Sequence, residues 1–404
     1  MMRNVQPKVW WGLAALSVIL VTSWGLTWKE VGAADRETVY SKAEERTLDP
    51  KPVLATNPEM ARKISEIEAI FQRKRRGGFN GNVLVVQNDT LLYSQSFGYG
   101  HLKDKDSLNK DSRFQLASLS KPITAVAMLK LVQEGRVSLS DSVQRFFPDF
   151  PYPGVKIDLL LSHRSGLPNY IYSFPDSVRH GQGYPSNQDI MHWYATVKPT
   201  PQRYNLPDRS FVYCNTNYCV LAAIIEKVTG QTFGQYLQES IFSPLGMDQT
   251  FLVTDTTAAA MANRTVGHQY GRRIAKDYYD GVVGDKGLYS TTGDIYKFYN
   301  GLSKGLILSD SLRNEAFTPR SFEKRGIRNY GYGFRMHTNP DRTPLYIYHG
   351  GWWKGYNTIL WVSPQSKSVI VVLSNSYNRA TYDIKGVLAV LEGGDGPVDI
   401  EKEL

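Results

Sequence analysis

Apolar positions along the chain change period several times, and each change marks an element. Residues 9–28 carry no charge, follow Arg3 and Lys8, and end at Lys29. Twenty residues in a helix span about 30 Å, the hydrocarbon thickness of a bilayer. This predicts a membrane anchor within residues 1–30, with cleavage near Gly32-Ala33-Ala34 as the alternative and the bulk of the chain exported in either case. A polar tether over 31–58 comes next. Helical spacing of Ile64, Ile67, Ile70 and Phe71 predicts a helix over 58–76, stopped by Gly77-Gly78. Residues 81–87 read as a buried strand, Asn88-Asp89 as a turn and 91–97 as a second strand, which together form a hairpin.

An apolar run at 123–132 predicts a buried helix ending at Gly135. Long polar and aromatic loops are expected over 169–209. Further helices are expected at 215–229, closing on Gly230, at 233–241 and at 293–302. Strand patterns return at 330–336, 345–348, 357–362 and 369–373, and 384–391 reads as a closing helix. Strands at both ends with helices between imply an α+β fold, one sheet built from both chain ends around an inserted helical region. The folded domain is expected over 59–392, with a disordered tail at 393–404.

Composition narrows the function. A hydrophobic content of 42% with 12% aromatics is that of a globular chain. The net charge of +9 is spread thinly, and its densest cluster, Arg73-Lys74-Arg75-Arg76, reads as the solvated last turn of a helix, so no nucleic acid is expected as a partner. The mild basic excess suits an anionic envelope surface. Cys214 and Cys219 lie five apart on one predicted helix and point away from each other, so no disulfide is expected. The seven histidines show no metal-ligand spacing, so neither metal nor other cofactor is expected.

Chemistry concentrates at three places. Ser118 and Lys121 are three apart at the head of the apolar helix, a spacing that puts a hydroxyl and an amine on one face. A buried amine could take the serine proton and make it a nucleophile. Tyr213-Cys214-Asn215 opens the helix at 215–229. Its phenol could shuttle protons, and Asn215 could hold Lys121 or a substrate carbonyl. His349-Gly350-Gly351-Trp352 ends a strand expected at the sheet edge, where glycines would admit a substrate backbone. The amides of Ser118 and Trp352 could form an oxyanion hole. Gly301-Leu302-Ser303-Lys304-Gly305 matches a nucleophile-elbow pattern but comes after a helix rather than a strand, so it reads as a helix terminus. His163 reads as a loop or core histidine. Trp352, Trp353 and Tyr356 could line a cleft or pack.

Ser-x-x-Lys, Tyr-x-Asn and His-Gly-Gly, in that order, resemble the penicillin-recognising serine hydrolases, the group of class C β-lactamases, serine DD-peptidases and related esterases. The likeness covers about residues 60–392. It implies an α/β/α sandwich on a central antiparallel sheet and an acyl-enzyme mechanism. Ser118 would be the nucleophile, Lys121, Tyr213 and His349 catalytic, and the Ser118 and Trp352 amides the oxyanion hole. Asn215, Gly350, Gly351 and Arg335 would bind substrate, Arg335 through a terminal carboxylate. The sequence departs from the β-lactamases, which usually carry Lys-Thr-Gly where this chain has His349-Gly350-Gly351; histidine there is closer to the DD-carboxypeptidase and esterase branches. Cys214 stands where DD-peptidases commonly have serine. The expected activity is cleavage of D-alanyl peptides, such as those of peptidoglycan, or of related acyl compounds, with esterase or β-lactamase action as the alternative. A non-catalytic penicillin-binding sensor is the competing class.

Overall fold

The computed structural model describes residues 48–53, 57–174, 183–199, 206–324, 326 and 328–394. The predicted anchor and most of the tether and tail lie outside them, and the sheet and helices all belong to the unit that begins at Asp49. Among the described residues no helix is long and apolar enough to cross a membrane.

Helix α1 (Pro58–Arg76) starts at Asn57, whose side chain accepts from the amides of Glu59 and Met60. Strands β1 (Gly81–Gln87) and β2 (Thr90–Phe97) form the predicted hairpin. At the other end of the chain come β3 (Arg328–Tyr330), β4 (Arg335–Thr338), β5 (Pro344–Trp353), β6 (Tyr356–Ser363) and β7 (Ser368–Ser374). They join the hairpin in one antiparallel sheet of order β3-β4-β5-β6-β7-β1-β2. The seam between the two ends is the β1–β7 pairing, from Gly81 opposite Ser374 to Gln87 opposite Ser368.

All seven residues of β1 are buried, as are those of β6 and β7, because both faces of the sheet are covered. On one face, Ile67 and Phe71 of α1 and Val387, Leu388 and Leu391 of α5 (Lys385–Glu392) pack on Val83, Val85, Ile359, Trp361 and Ile370. Against the other face lie α4 (Thr292–Ser303) and a short 3-10 turn, Ala117–Leu119. From that turn runs α2 (Ser120–Gln133), buried from Ser120 through Leu129 and packed against α3 (Asn215–Thr229). Gly301 and Ser303 belong to the end of α4, so the elbow-like pattern there is a helix terminus.

Four local expectations are corrected. The single strand expected over 330–336 is a hairpin, β3 and β4, whose turn is closed by the Gly331 amide on the Phe334 carbonyl at 2.9 Å. Strand β5 is interior rather than at the edge. Its pairing with β4 stops at Arg335 opposite Tyr348, however, so residues 349–353 have a laddered neighbour, β6, on one side only. Within the region expected as loops, 169–209, a helix spans Asn187–Val197, started by a reciprocal cap between Ser186 and Asp189 and buried through Ile190, Trp193 and Tyr194. The helical insert also carries short ladders. One of them joins Phe114–Gln115, Leu288–Ser290 and Phe251–Leu252 just before the 3-10 turn.

Candidate active site

Ser118 sits in the 3-10 turn, not in the helix proper. Ala117 ahead of it has φ +51°, a left-handed conformation that costs an alanine about 1 kcal/mol or more. The turn is held against the sheet, since Thr358 Oγ1 of β6 donates to the Leu116 carbonyl at 2.7 Å. Gly351 of β5 lies on the same carbonyl, and a Cβ there would sit 2.2 Å from the oxygen. The glycine expected to admit a substrate backbone thus admits the protein's own backbone. Its neighbour Gly350 accepts from His349.

Lys121 is fully buried. Its Nζ is 3.0 Å from Ser118 Oγ and donates to Asn215 Oδ1 at 2.8 Å and to the Asp285 carbonyl at 2.8 Å. Two of its three neighbours are pure acceptors, so a free amine satisfies both with its two N–H groups and leaves its lone pair for the serine hydroxyl. Protonated, the same nitrogen donates to all three. The geometry therefore satisfies the nitrogen in either protonation state.

Tyr213 is half-buried beside them. Lys121 Nζ lies 5.0 Å from its ring centroid and Arg335 Cζ 4.9 Å, so the ring packs against both basic side chains. Behind it is the imidazole of His163, at 4.3 Å between ring centroids. His163 is fully buried, its Nδ1 accepts from the Cys214 amide at 3.2 Å, and its own carbonyl accepts from Val212. It holds the Tyr-Cys-Asn segment in place. Burial, aided by the charges of Lys121 and Arg335, pushes its pKa well below the usual value and keeps it neutral.

His349 is also fully buried. Its Nδ1 donates to the Gly350 carbonyl at 2.8 Å, which leaves Nε2 as an acceptor for the Tyr330 hydroxyl at 3.2 Å. Burial first, then Arg335 and Lys121, hold its pKa well below the ordinary range. With both nitrogens occupied and no surface exposed, it supplies neither charge nor proton to the cleft.

Arg335 lies on β4, and its buried Nε has no hydrogen-bond partner among the described residues. It borders a pocket of about 580 Å³ shared with Phe211, Glu323, Arg328, Tyr330 and Tyr348. Trp352 is exposed, whereas Trp353 is half-buried, with its indole N–H on Asp280 Oδ1 at 3.0 Å. Tyr356 is buried, with its hydroxyl on the Thr265 carbonyl at 2.6 Å, and packs rather than lining the cleft. Cys214 and Cys219 are free and buried. Among the described residues no cluster of His, Cys, Asp or Glu could hold a metal ion.

Sequence reasoning does not reach Asp285, whose carbonyl completes the lysine's surroundings. The visible signal is a pair of charged residues between two glycines, Gly284-Asp285-Lys286-Gly287, just before a buried ladder. Gly284 has φ +97°, and a Cβ there would meet the Tyr218 carbonyl at 2.4 Å.

A turn that offers a serine to a buried lysine, on an antiparallel sheet flanked by helices, defines a serine hydrolase of the penicillin-recognising type. Comparison with known proteins agrees. The family model described as Beta-lactamase matches residues 60–394. Penicillin-binding protein 4* of Bacillus subtilis (strain 168) is 32% identical over 337 residues, 80% of this chain and 74% of that protein. A putative D-alanyl-D-alanine carboxypeptidase of Escherichia coli (strain K12) is 26% identical over 402 residues, 86% of this chain and 91% of the relative. Among solved structures, FmtA from Staphylococcus aureus superposes with a TM-score of 0.70 at 19% identity, covering 90% of this chain and 97% of that one. The D-amino acid amidase from Ochrobactrum anthropi SV3 gives 0.68 at 22%, covering 82% and 98%. The chain belongs to the beta-lactamase family of serine hydrolases.

Proposed function

We propose that this chain is an exported hydrolase, held at the membrane by residues 1–30 or released by cleavage there. It cleaves an amide or ester through an acyl-Ser118 intermediate, with D-alanyl peptides or related acyl compounds as substrates. The observation that carries the reading is the environment of Lys121 Nζ, with Ser118 Oγ at 3.0 Å and two carbonyl acceptors at 2.8 Å.

In this mechanism Ser118 Oγ attacks the substrate carbonyl while its proton passes to Lys121. The amides of Ser118 and Trp352 receive the developing oxyanion. Tyr213 relays the proton to the departing amine or alkoxide, and water then releases the acyl group along the reverse proton path. A substrate laid along residues 349–353 would pair with the open side of β5, as extended peptides do at free strand edges. In this reading the half-buried guanidinium of Arg335, 4.9 Å from the Tyr213 ring centroid, takes a substrate carboxylate. His349 acts from beneath as a positioning residue and does not touch substrate. The carboxypeptidase name of one set of relatives and the amidase name of a structural neighbour favour an acyl substrate with a D-residue.

Labelling with a fluorescent penicillin and peptide mass mapping tests the nucleophile, and turnover of a D-Ala-D-Ala peptide, a nitrophenyl ester and a chromogenic cephalosporin tests the substrate. An adduct on Ser118 with release of the acid product is expected. Full activity in Ser118→Ala would overturn the mechanism, and stoichiometric labelling without turnover of any of the three would favour a sensor.

A further inference from the structure

Directly behind Lys121 lies an ion pair that the mechanism above does not use. Asp285 and Lys286 are adjacent in sequence and both buried, with 3.5 Å between Lys286 Nζ and Asp285 Oδ1. Lys286 Nζ donates to the Tyr170 hydroxyl at 2.6 Å, and that hydroxyl donates to Asp285 Oδ2 at 3.0 Å. Burial and the neighbouring carboxylate push the Tyr170 phenol well above its ordinary pKa, so it stays a donor. The lysine also reaches the Val282 carbonyl at 3.2 Å, and the Trp353 ring covers it at 5.1 Å. Asp285 Oδ1 has no hydrogen-bond partner among the described residues. The loop is tied to the nucleophile helix twice, through Asp285 O to Lys121 Nζ and through Gly284 O to Thr124 Oγ1 at 2.7 Å.

A buried ion pair is a poor device for stability alone, because desolvation offsets most of its attraction. A loop that only had to close here could do so with small apolar residues. We propose that Asp285 and Lys286 are positioning residues for Lys121: the network fixes the carbonyl that orients the amine, and its two opposite charges balance the field that decides at which pH the amine accepts the serine proton. The inference rests on the reading of Lys121 as the proton acceptor.

The groups that face Lys121 are Ser118 from its own turn and Tyr213, Asn215 and Tyr218 from the α3 side. Arg335 comes from β4, and the neutral His163 and His349 lie behind. Asp285 and Lys286 approach from the loop before the Leu288–Ser290 strand. In general, removing a nearby cation disfavours a free amine and removing a nearby carboxylate disfavours its ammonium form.

The test is the pH profile of kcat/KM on a nitrophenyl ester for the parent, Asp285→Asn, Lys286→Met and the double variant. Asp285→Asn should move the acid limb to lower pH and Lys286→Met to higher pH, each by about one unit, the scale of one charge in a partly screened interior. The double variant should return near the parent. Equal losses of kcat with unmoved limbs, or shifts of the same sign, would overturn the proposal. Should Asp285→Asn fail to fold, Lys286→Met decides alone: an upward shift supports the proposal, and an unmoved or lowered limb ends it. If Ser118→Ala is inactive while the limbs stay fixed, only this inference fails. If Ser118→Ala is active, the reading beneath it fails as well.

Discussion

Placing one methyl group at residue 351 should cost this enzyme both stability and rate. An alanine Cβ there would lie 2.2 Å from the Leu116 carbonyl oxygen, 2.5 Å from Thr358 Oγ1 and 3.0 Å from Ala117 Cβ. To reach an ordinary contact of 3.4 Å, strand and turn must separate by 1.2 Å along the first of these, and the Thr358–Leu116 hydrogen bond of 2.7 Å lies in the way. Overpacking of this kind costs about 1–3 kcal/mol, and the strained hydrogen bond adds about 1 kcal/mol. The smaller unfolded-state entropy of alanine offsets roughly 0.4–1 kcal/mol of that. Net destabilisation of about 1–3.6 kcal/mol is therefore expected in urea titrations. Because the displaced atoms carry Ser118 on one side and the Trp352 amide on the other, kcat/KM should fall about 100-fold, the usual effect of a misplacement near 1 Å. Gly293→Ala in α4 is the control: its nearest neighbour is 3.8 Å away, and its stability should equal or exceed the parent's. A Gly351→Ala protein with parental midpoint and rate would refute the claim that this glycine exists for the approach of β5 to the turn that carries Ser118.

The buried charges lead to two more expected outcomes. Because His163 and His349 have depressed folded-state pKa values, the unfolded chain binds protons that the folded chain does not as pH falls through about 6.5. Their contribution is complete above that pH and is lost below it, at about 1.4 kcal/mol for each by pH 5.5. Urea-derived stabilities at pH 7.5 and 5.5 measure it, and equal values would contradict the neutral assignment. Arg335→Gln should raise KM for a substrate with a free carboxylate by about 10–100-fold, the worth of a charge-assisted hydrogen bond. A neutral ester should be nearly unaffected, and equal losses on both would assign Arg335 to packing on Tyr213.

Much of this protein is legible without coordinates where the information is local. The helix Pro58–Arg76, with Gly77-Gly78 at its stop, and the strands Gly81–Gln87 and Ser368–Ser374 follow from apolar spacing. Ser118 and Lys121 are close because three residues of helical turn bring them together. The tight hairpin at residues 331–334 escapes sequence reasoning because Tyr330 to Met336 reads as one β-like stretch, and the turn geometry breaks it. The helix Asn187–Val197 escapes it because polar and aromatic residues around it mask its cap.

What the amino-acid order alone determined is therefore the set of elements, the sheet drawn from both ends, and the three segments where chemistry gathers. Tertiary structure decided the rest, since burial and main-chain contacts belong to no short stretch. It turned His349 from an expected reactive group into a neutral support, gave Gly351 to the protein's own backbone, and brought the Asp285 carbonyl to Lys121 across 164 residues of chain. A residue's type fixes what it can donate or accept, but only the packed neighbours fix whether it does so toward solvent or toward the interior.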